Sequence, residues 1–266
     1  MKFKTNFLYN YLLQAPVLLA IERTMECEIL SKLEFNRPIL DIGCGEGVFA
    51  NILFDEKIDL GIDPNGRELE RCKQYQGYNE LIECFGNNIP KEAGTFNTIF
   101  SNSVLEHIED LDTVLKEAHR LLSTNGRMYV TIPTNLFDKY NLIYQVFSFL
   151  HLKTLSEKYR VFFNNFWKHY HYYDKAGWEA TFNKSGLKVI SYREYNSKST
   201  CLFNDALVPL SLPGFVFKKF TNRWILFPFL RKIWAKMLNI FIPPLILKDL
   251  KIEKECGLVF FEIAKK

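Results

Sequence analysis

The sequence has few features that point to metal, disulfide or nucleic-acid chemistry. Its six cysteines, at 27, 44, 72, 84, 201 and 256, form no C-x-x-C pair. None stands with histidine at zinc spacing, so no metal site is expected. Buried thiols in a reducing compartment are expected instead. The formal net charge is only +4 on 266 residues. A general nucleic-acid binder would carry a larger basic excess, so nucleic acid is not an expected partner. The chain also lacks internal repeats, a low-complexity linker and an uninterrupted apolar run long enough to cross a bilayer. At the N-terminus, Asn6, Asn10 and Gln14 break the apolar run and no small-residue cleavage site follows. A helix packed on the next domain is therefore expected there, not a secretion signal.

One absence is local. Residues 206–247 contain no Asp or Glu but hold Lys218, Lys219, Arg223, Arg231, Lys232 and Lys236. That stretch carries +6, so the remainder carries −2. Within it, "RWILFPFLRKIWAKMLNIFIPPLIL" (residues 223–247) is dense in apolar and aromatic side chains. A spanning helix needs about 20 mostly apolar residues. Arg231, Lys232 and Lys236 would sit mid-span at about 2.5–3.5 kcal/mol each, and three prolines interrupt the run. A helix over 228–240 is expected, opened by Pro228. Helical spacing places Lys232, Lys236 and Asn239 with Arg231 on one face. Leu230, Ile233, Trp234, Met237 and Leu238 face the other way. Such a helix can cover a pocket as a lid or lie on an anionic membrane.

What is present upstream has a clear rhythm. Apolar residues at helical spacing run from Leu18 to Leu33. "RPILDIG", "KIDLGID", "ELIECFG", "TFNTIFS" and "RMYVTIP" then read as strands separated by helices. "EGVFANILFDE", "PNGRELERCKQY" and "DLDTVLKEAHRLLS" supply the helices, the last opened by Asp110 and closed by "TNG". "DKAGWEATFNKSG" is a further helix, and "LKVISYREY" and "GLVFFEIAKK" are the sixth and seventh strands. This alternation implies a Rossmann-like, doubly wound α/β sheet. Two aromatic, helical inserts interrupt it, over 136–173 and 195–255.

The most informative stretch is "ILDIGCGEG" (residues 39–47). A strand ends, and Gly43, Gly45 and Gly47 lead into a helix whose N-terminus faces any bound anion or polar group. The spacing is G-x-G-x-G, and Val48 stands where the dinucleotide fingerprint wants a small residue. Asp63 ends the second strand, where an acid can accept hydrogen bonds from ribose hydroxyls. Loop and acid together indicate an adenosine-containing ligand.

With these motifs in place, the chain resembles the class I S-adenosylmethionine-dependent methyltransferases. "LDIGCGEG" resembles their first motif, "GID" their ribose acid, and "FNTIFSNSVLEHIEDLDTVLKEAHRLLSTNGRMYVTIP" their fourth and fifth strands. The resemblance covers residues 36–134 well and 174–194 loosely. It implies a seven-stranded sheet with an antiparallel last strand and S-adenosylmethionine as cofactor. The implied core is 36–135, 174–194 and 256–266, with 1–35 as an N-terminal helical segment and the inserts as lid or substrate regions. Asp41, Gly43, Gly45 and Gly47 would shape the methionine end of the cofactor, and Asp63 would hold its ribose. Asn87 would face the adenine, although the family more often has Asp there. Ser101 and Asn102 would border the methyl group, and Glu106 would reach the amino end. His107, His169 and His171 are candidate bases or substrate contacts.

Methyl transfer to a small-molecule, glycan-linked or lipid-linked hydroxyl is the expected reaction. A membrane-face methylation of a quinone or lipid ring is an alternative. A cofactor-binding partner without turnover is another. A cytoplasmic location is expected, with peripheral membrane contact through 218–247 as one option at the inner face.

Overall fold

The computed structural model describes residues 1–221, 228–251 and 255–266. Residues 223–227 of the basic stretch lie outside them, and of Leu230 only the backbone is described. Seven strands form one sheet: β1 (Ile39–Ile42), β2 (Ile58–Asp63), β3 (Tyr78–Glu83), β4 (Phe96–Asn102), β5 (Leu122–Pro133), β6 (Leu187–Tyr195) and β7 (Leu258–Lys265). Their order is β3-β2-β1-β4-β5-β7-β6. The first five are parallel, and β7 runs antiparallel between β5 and β6. The expected doubly wound sheet with an antiparallel last strand is thus the fold. Central β1 is buried along its whole length, with Ile39, Leu40 and Ile42 suited to a strand covered on both faces and Asp41 as its one polar residue. Edge strand β3 instead exposes Glu80 and Glu83, charges that blunt an edge against further pairing.

Helices cover both faces. On one side lie α1 (Phe7–Gln14), α2 (Val17–Leu30), α3 (Val48–Leu53) and α4 (Gly66–Cys72), whose apolar residues join one core with Phe100 and Tyr129 of the sheet. On the other lie α5 (Leu111–Leu121) and α8 (Lys175–Lys184), packed on Ile99, Val130 and Phe261. Trp178 of α8 is fully buried and donates its indole N–H to Pro133 O at 2.9 Å. That bond fixes α8 to the end of β5, where the first insert leaves the sheet.

The first insert forms α6 (Leu142–Phe149) and α7 (Lys153–Trp167). The second forms α9 (Lys198–Ala206), α10 (Val208–Thr221), α11 (Pro228–Phe241) and α12 (Pro243–Asp249) between β6 and β7. Asp249, buried at the end of α12, accepts from Asn196 N, Ser197 N and Thr200 Oγ1 at 2.7–3.0 Å. This carboxylate caps α9 and closes the second insert on itself.

Two local expectations change, and a third holds with one difference. "TNG" does not separate helix from strand, because β5 already begins at Leu122 with a register shift opposite Phe96 and Thr98. The irregular pairing absorbs Ser123–Gly126 into the strand as a bulge does. Asp110 occupies the N-cap of α5, but its side chain makes no capping bond. In α11, Arg231 does not share the solvent face with Lys232 and Lys236. It turns inward and donates to Leu12 O and Ala15 O, the last carbonyls of α1. Those carbonyls have no partner within α1, so a cation there satisfies both hydrogen bonding and the helix dipole. Ala235, Leu238 and Ile242 follow Arg231 on the inward edge, while Ile233, Trp234, Met237 and Ile240 face outward.

Candidate active site

The glycine loop sits at the C-terminal ends of β1 and β2. Gly43 N and Cys44 N both donate to Ile62 O at 2.9 Å, which ties the loop to β2. Gly43 and Gly47 have φ of +80° and +76°, which a side chain rarely tolerates. A Cβ at Gly43 would lie 2.5 Å from Val104 Cγ1, and one at Gly47 would lie 2.6 Å from Cys72 Sγ. Gly45 is different: a Cβ there meets nothing within 4 Å. The middle of the loop therefore faces open space, where a ligand can lie against the backbone.

Asp63 borders that space. Its Oδ2 accepts from Gly45 N at 3.0 Å and its Oδ1 from Asn65 N at 2.8 Å. Each oxygen keeps a lone pair for a ribose hydroxyl. Asp41 lies behind the loop, accepting from Tyr78 OH at 2.6 Å. Burial pushes its carboxyl up to about 7 against the opposing hydrogen bond from Tyr78. Asn87 is exposed after β3, beside the strongly exposed ring of Phe85. Lys218 of α10 reaches Glu46 of the loop at 3.0 Å, so the second insert contacts the glycine loop directly.

At the end of β4 the side chains turn into a buried polar cluster. Ser101 Oγ donates to Ile42 O at 3.0 Å. Asn102 donates to Glu26 Oε2 at 2.9 Å and accepts from Thr131 Oγ1 at 2.9 Å. Glu26, with 0% exposure, is the hub. It also accepts from Arg23 at 2.8 Å on both oxygens, from Ser103 Oγ at 3.2 Å and from Tyr195 OH at 3.0 Å. Arg23 in turn bonds Ser103 Oγ. Sequence reasoning missed Glu26, Arg23 and Tyr195. The available signal was Glu26 between Met25 and Cys27 on the apolar side of α2, where charge on a buried face demands partners.

Glu106 lies in a 3-10 turn after β4, is 3% exposed, and has no partner for its Oε2. Burial, opposed by Arg23 and reinforced by Glu26 and Glu22, pushes it up to about 8. Burial likewise pushes Glu22 up to about 7. Tyr11 OH and Asn204 Oδ1 are also buried without partners, and the amide of Asn204 bonds Glu22 at 3.4 Å.

The three histidines gather beside Glu106, where Tyr170 N and His171 N donate to Glu106 O. The rings of His107 and His169 are 5.1 Å apart. His107 Nδ1 contacts Lys168 O at 3.2 Å, and burial lowers its proton affinity. His169 contacts Asn164 Oδ1 at 3.1 Å and is pushed down to about 4 by burial and by His107. His171 has both ring nitrogens engaged, by Ile108 O at 2.9 Å and Tyr173 OH at 3.0 Å. Among the described residues no group of three or more His, Cys, Asp or Glu side chains could hold a metal ion, and no disulfide forms.

A family model described as a methyltransferase domain matches residues 20–192. The Bacillus subtilis protein YrhH, provisionally named a methyltransferase, is 29% identical over 147 residues, 51% of this chain and 81% of that one. The malonyl-[acyl-carrier protein] O-methyltransferase of Legionella pneumophila is 30% identical over 110 residues, 39% of each chain. The chain thus spans well under half of this second relative. Among solved structures, geranyl diphosphate C-methyltransferase from Streptomyces coelicolor superposes with a TM-score of 0.53 at 11% identity, covering 94% of this chain and 82% of that one. That likeness shows the fold alone. Sheet order and family match agree, and the chain belongs to the methyltransferase-domain family as a class I S-adenosylmethionine-dependent methyltransferase.

Proposed function

We propose that the chain methylates a hydroxyl on an apolar small-molecule, glycan-linked or lipid-linked acceptor, with Glu106 as the base. The observation that carries this reading is the buried Glu106 carboxyl with an unpartnered Oε2 just beyond the end of β4. S-adenosylmethionine supplies a methyl group already bonded to a positively charged sulfur. The chain must hold that cofactor, align the acceptor and remove its proton. The open backbone at Gly45, with Gly43, Gly47 and Asp41 setting the loop, would receive the methionine end. Asp63 would hold the ribose, and Asn87 would meet the adenine edge. Ser101 and Asn102 would frame the acceptor side through their bonds to Ile42 and Glu26.

A proton acceptor works best when its affinity lies near the working pH, and Glu106 at about 8 meets that condition. In this reading the histidines shape the wall. His169 at about 4 is a poor proton acceptor at neutral pH, and His171 is held at both nitrogens. The core segments 36–135, 174–194 and 256–266 carry the cofactor, 1–35 supplies Glu22, Arg23 and Glu26, and the inserts 136–173 and 195–255 roof the acceptor. The Legionella relative is named an O-methyltransferase, as is a ubiquinone-biosynthesis relative from Pelagibacter ubique.

The test is formation of S-adenosylhomocysteine with a panel of phenolic, quinol and long-chain hydroxyl acceptors. For an accepted substrate, Glu106→Gln should lower kcat about 10²–10⁴-fold while cofactor affinity by calorimetry stays within twofold. His107→Ala, His169→Ala and His171→Ala should each retain most turnover. Full turnover in Glu106→Gln sinks the base assignment. Cofactor binding without turnover on any acceptor, hydroxyl, amine or carbon, would favour a non-catalytic partner.

A further inference from the structure

The second insert presents a face that the methyltransferase core does not use. On α10, Leu212, Val216 and Phe220 recur at i, i+4 and i+8 and are all exposed. On α11, Ile233, Trp234, Met237, Ile240 and Phe241 are exposed, the last two by 69% and 71%. On α11 these side chains follow one another within nine residues, and such a run of exposed apolar side chains marks a contact site. α11 is anchored by its opposite edge: Arg231 grips the end of α1, and Ala235 and Ile242 are buried. Lys232 and Lys236 are exposed among the outward apolar side chains. No carboxylate occurs anywhere in residues 206–247.

We propose that the outward face of α11 docks on an anionic lipid bilayer. Its charge decides the occupant. A two-fold dimer would press the patch against its own copy, setting lysines against lysines with no acid of the segment between them. An anionic headgroup layer meets the lysines with opposite charge and receives the apolar side chains at its acyl boundary. Trp234 suits that boundary, where an apolar ring with one polar edge is favoured. Among the described residues no helix is long and apolar enough to cross a membrane, so the contact is peripheral. The exposed apolar hairpin α6–α7 is less suited, since Asp138 and Glu157 already pair with Arg160 there. The proposal does not depend on which acceptor is methylated.

Co-sedimentation of the full chain with vesicles tests it. One set is phosphatidylcholine alone, and the other contains phosphatidylglycerol as well. Binding is expected only to the second, and it should weaken as salt rises. Lys232→Gln and Lys236→Gln should each cut affinity about fivefold. Trp234→Ser with Ile240→Ser should abolish binding, whereas Phe149→Ser with Phe166→Ser on the first insert should leave it intact. Cofactor affinity by calorimetry, unchanged in every variant, reports that each is folded. Absence of binding to anionic vesicles overturns the proposal. So does binding indifferent to the α11 substitutions, or self-association that those substitutions abolish in the absence of vesicle binding.

Discussion

Replacing Glu26 by glutamine tests how the buried cluster holds the active-site end of the sheet. Glutamine keeps the shape but exchanges one acceptor oxygen for an NH2 donor. Glu26 Oε2 faces Arg23 and Asn102, and its Oε1 faces Arg23, Ser103 and Tyr195. Hydroxyls of Ser103 and Tyr195 can rotate to accept, but guanidinium and amide N–H groups cannot. The new amide therefore settles on the Oε1 side and still opposes Arg23. The larger loss is charge, because Arg23, partly buried, is left without its ion-pair partner. Breaking such a pair costs about 3–5 kcal/mol. Glu22 and Glu106 both sense Arg23 and can ionise more readily in its service, which offsets part of that cost. The expected loss is therefore at the low end, about 3 kcal/mol, or roughly 6–12 °C in Tm. Urea unfolding by linear extrapolation measures it. The double variant Arg23→Gln/Glu26→Gln should lose less than the sum of the singles, with a coupling of about 2 kcal/mol. A Glu26→Gln protein within about 1 kcal/mol of the parent, or additive singles, would refute the idea that this ion pair organises the site.

Three further outcomes follow from the geometry. Asp63→Ala should weaken S-adenosylmethionine binding about 10–100-fold in calorimetry, since one charged acceptor for the ribose and one tie to Gly45 disappear together. Gly43→Ala should destabilise the fold by about 2–3 kcal/mol in urea melts, because its backbone is left-handed and the added carbon overlaps Val104. Glu106, Glu22 and Asp41 bind protons more tightly folded than unfolded. Stability should therefore fall as pH rises from about 4.5 to 8, and Glu106→Gln should flatten that slope by up to about 1.4 kcal/mol per pH unit. A slope unchanged by the substitution would show that Glu106 is not buried with its proton.

Much of the cofactor half was legible because its determinants are short in sequence. The apolar run before the loop, the three glycines and the acid ending the next strand are each specified within a few residues. A positive φ or a buried central strand leaves a local composition signature. The buried polar cluster at the end of β4 was not legible in that way. Glu26 is defined by Asn102, Ser103 and Tyr195, which lie 76, 77 and 169 residues away. No spacing rule links α2 to the ends of β4 and β6. The histidines show the converse. "HYHYY" and the "LEHI" turn are local signals of a site, while the bonds of the rings to Asn164, Lys168, Ile108 and Tyr173 appear only once the loops are folded together.

The sequence by itself determined the sheet, the glycine loop between β1 and α3 and the amphipathic character of residues 228–240. Those properties rest on backbone preference and on hydrophobic period, which are written along the chain. Only the tertiary structure decided which side of that helix faces the protein. Helical periodicity separates two faces without saying which is inward, and Arg231 reversed the simple expectation because the bare carbonyls at the end of α1 were within its reach. Arg231, grouped by spacing with Lys232 and Lys236, became an anchor, and Ile233, Trp234 and Met237 became part of the surface.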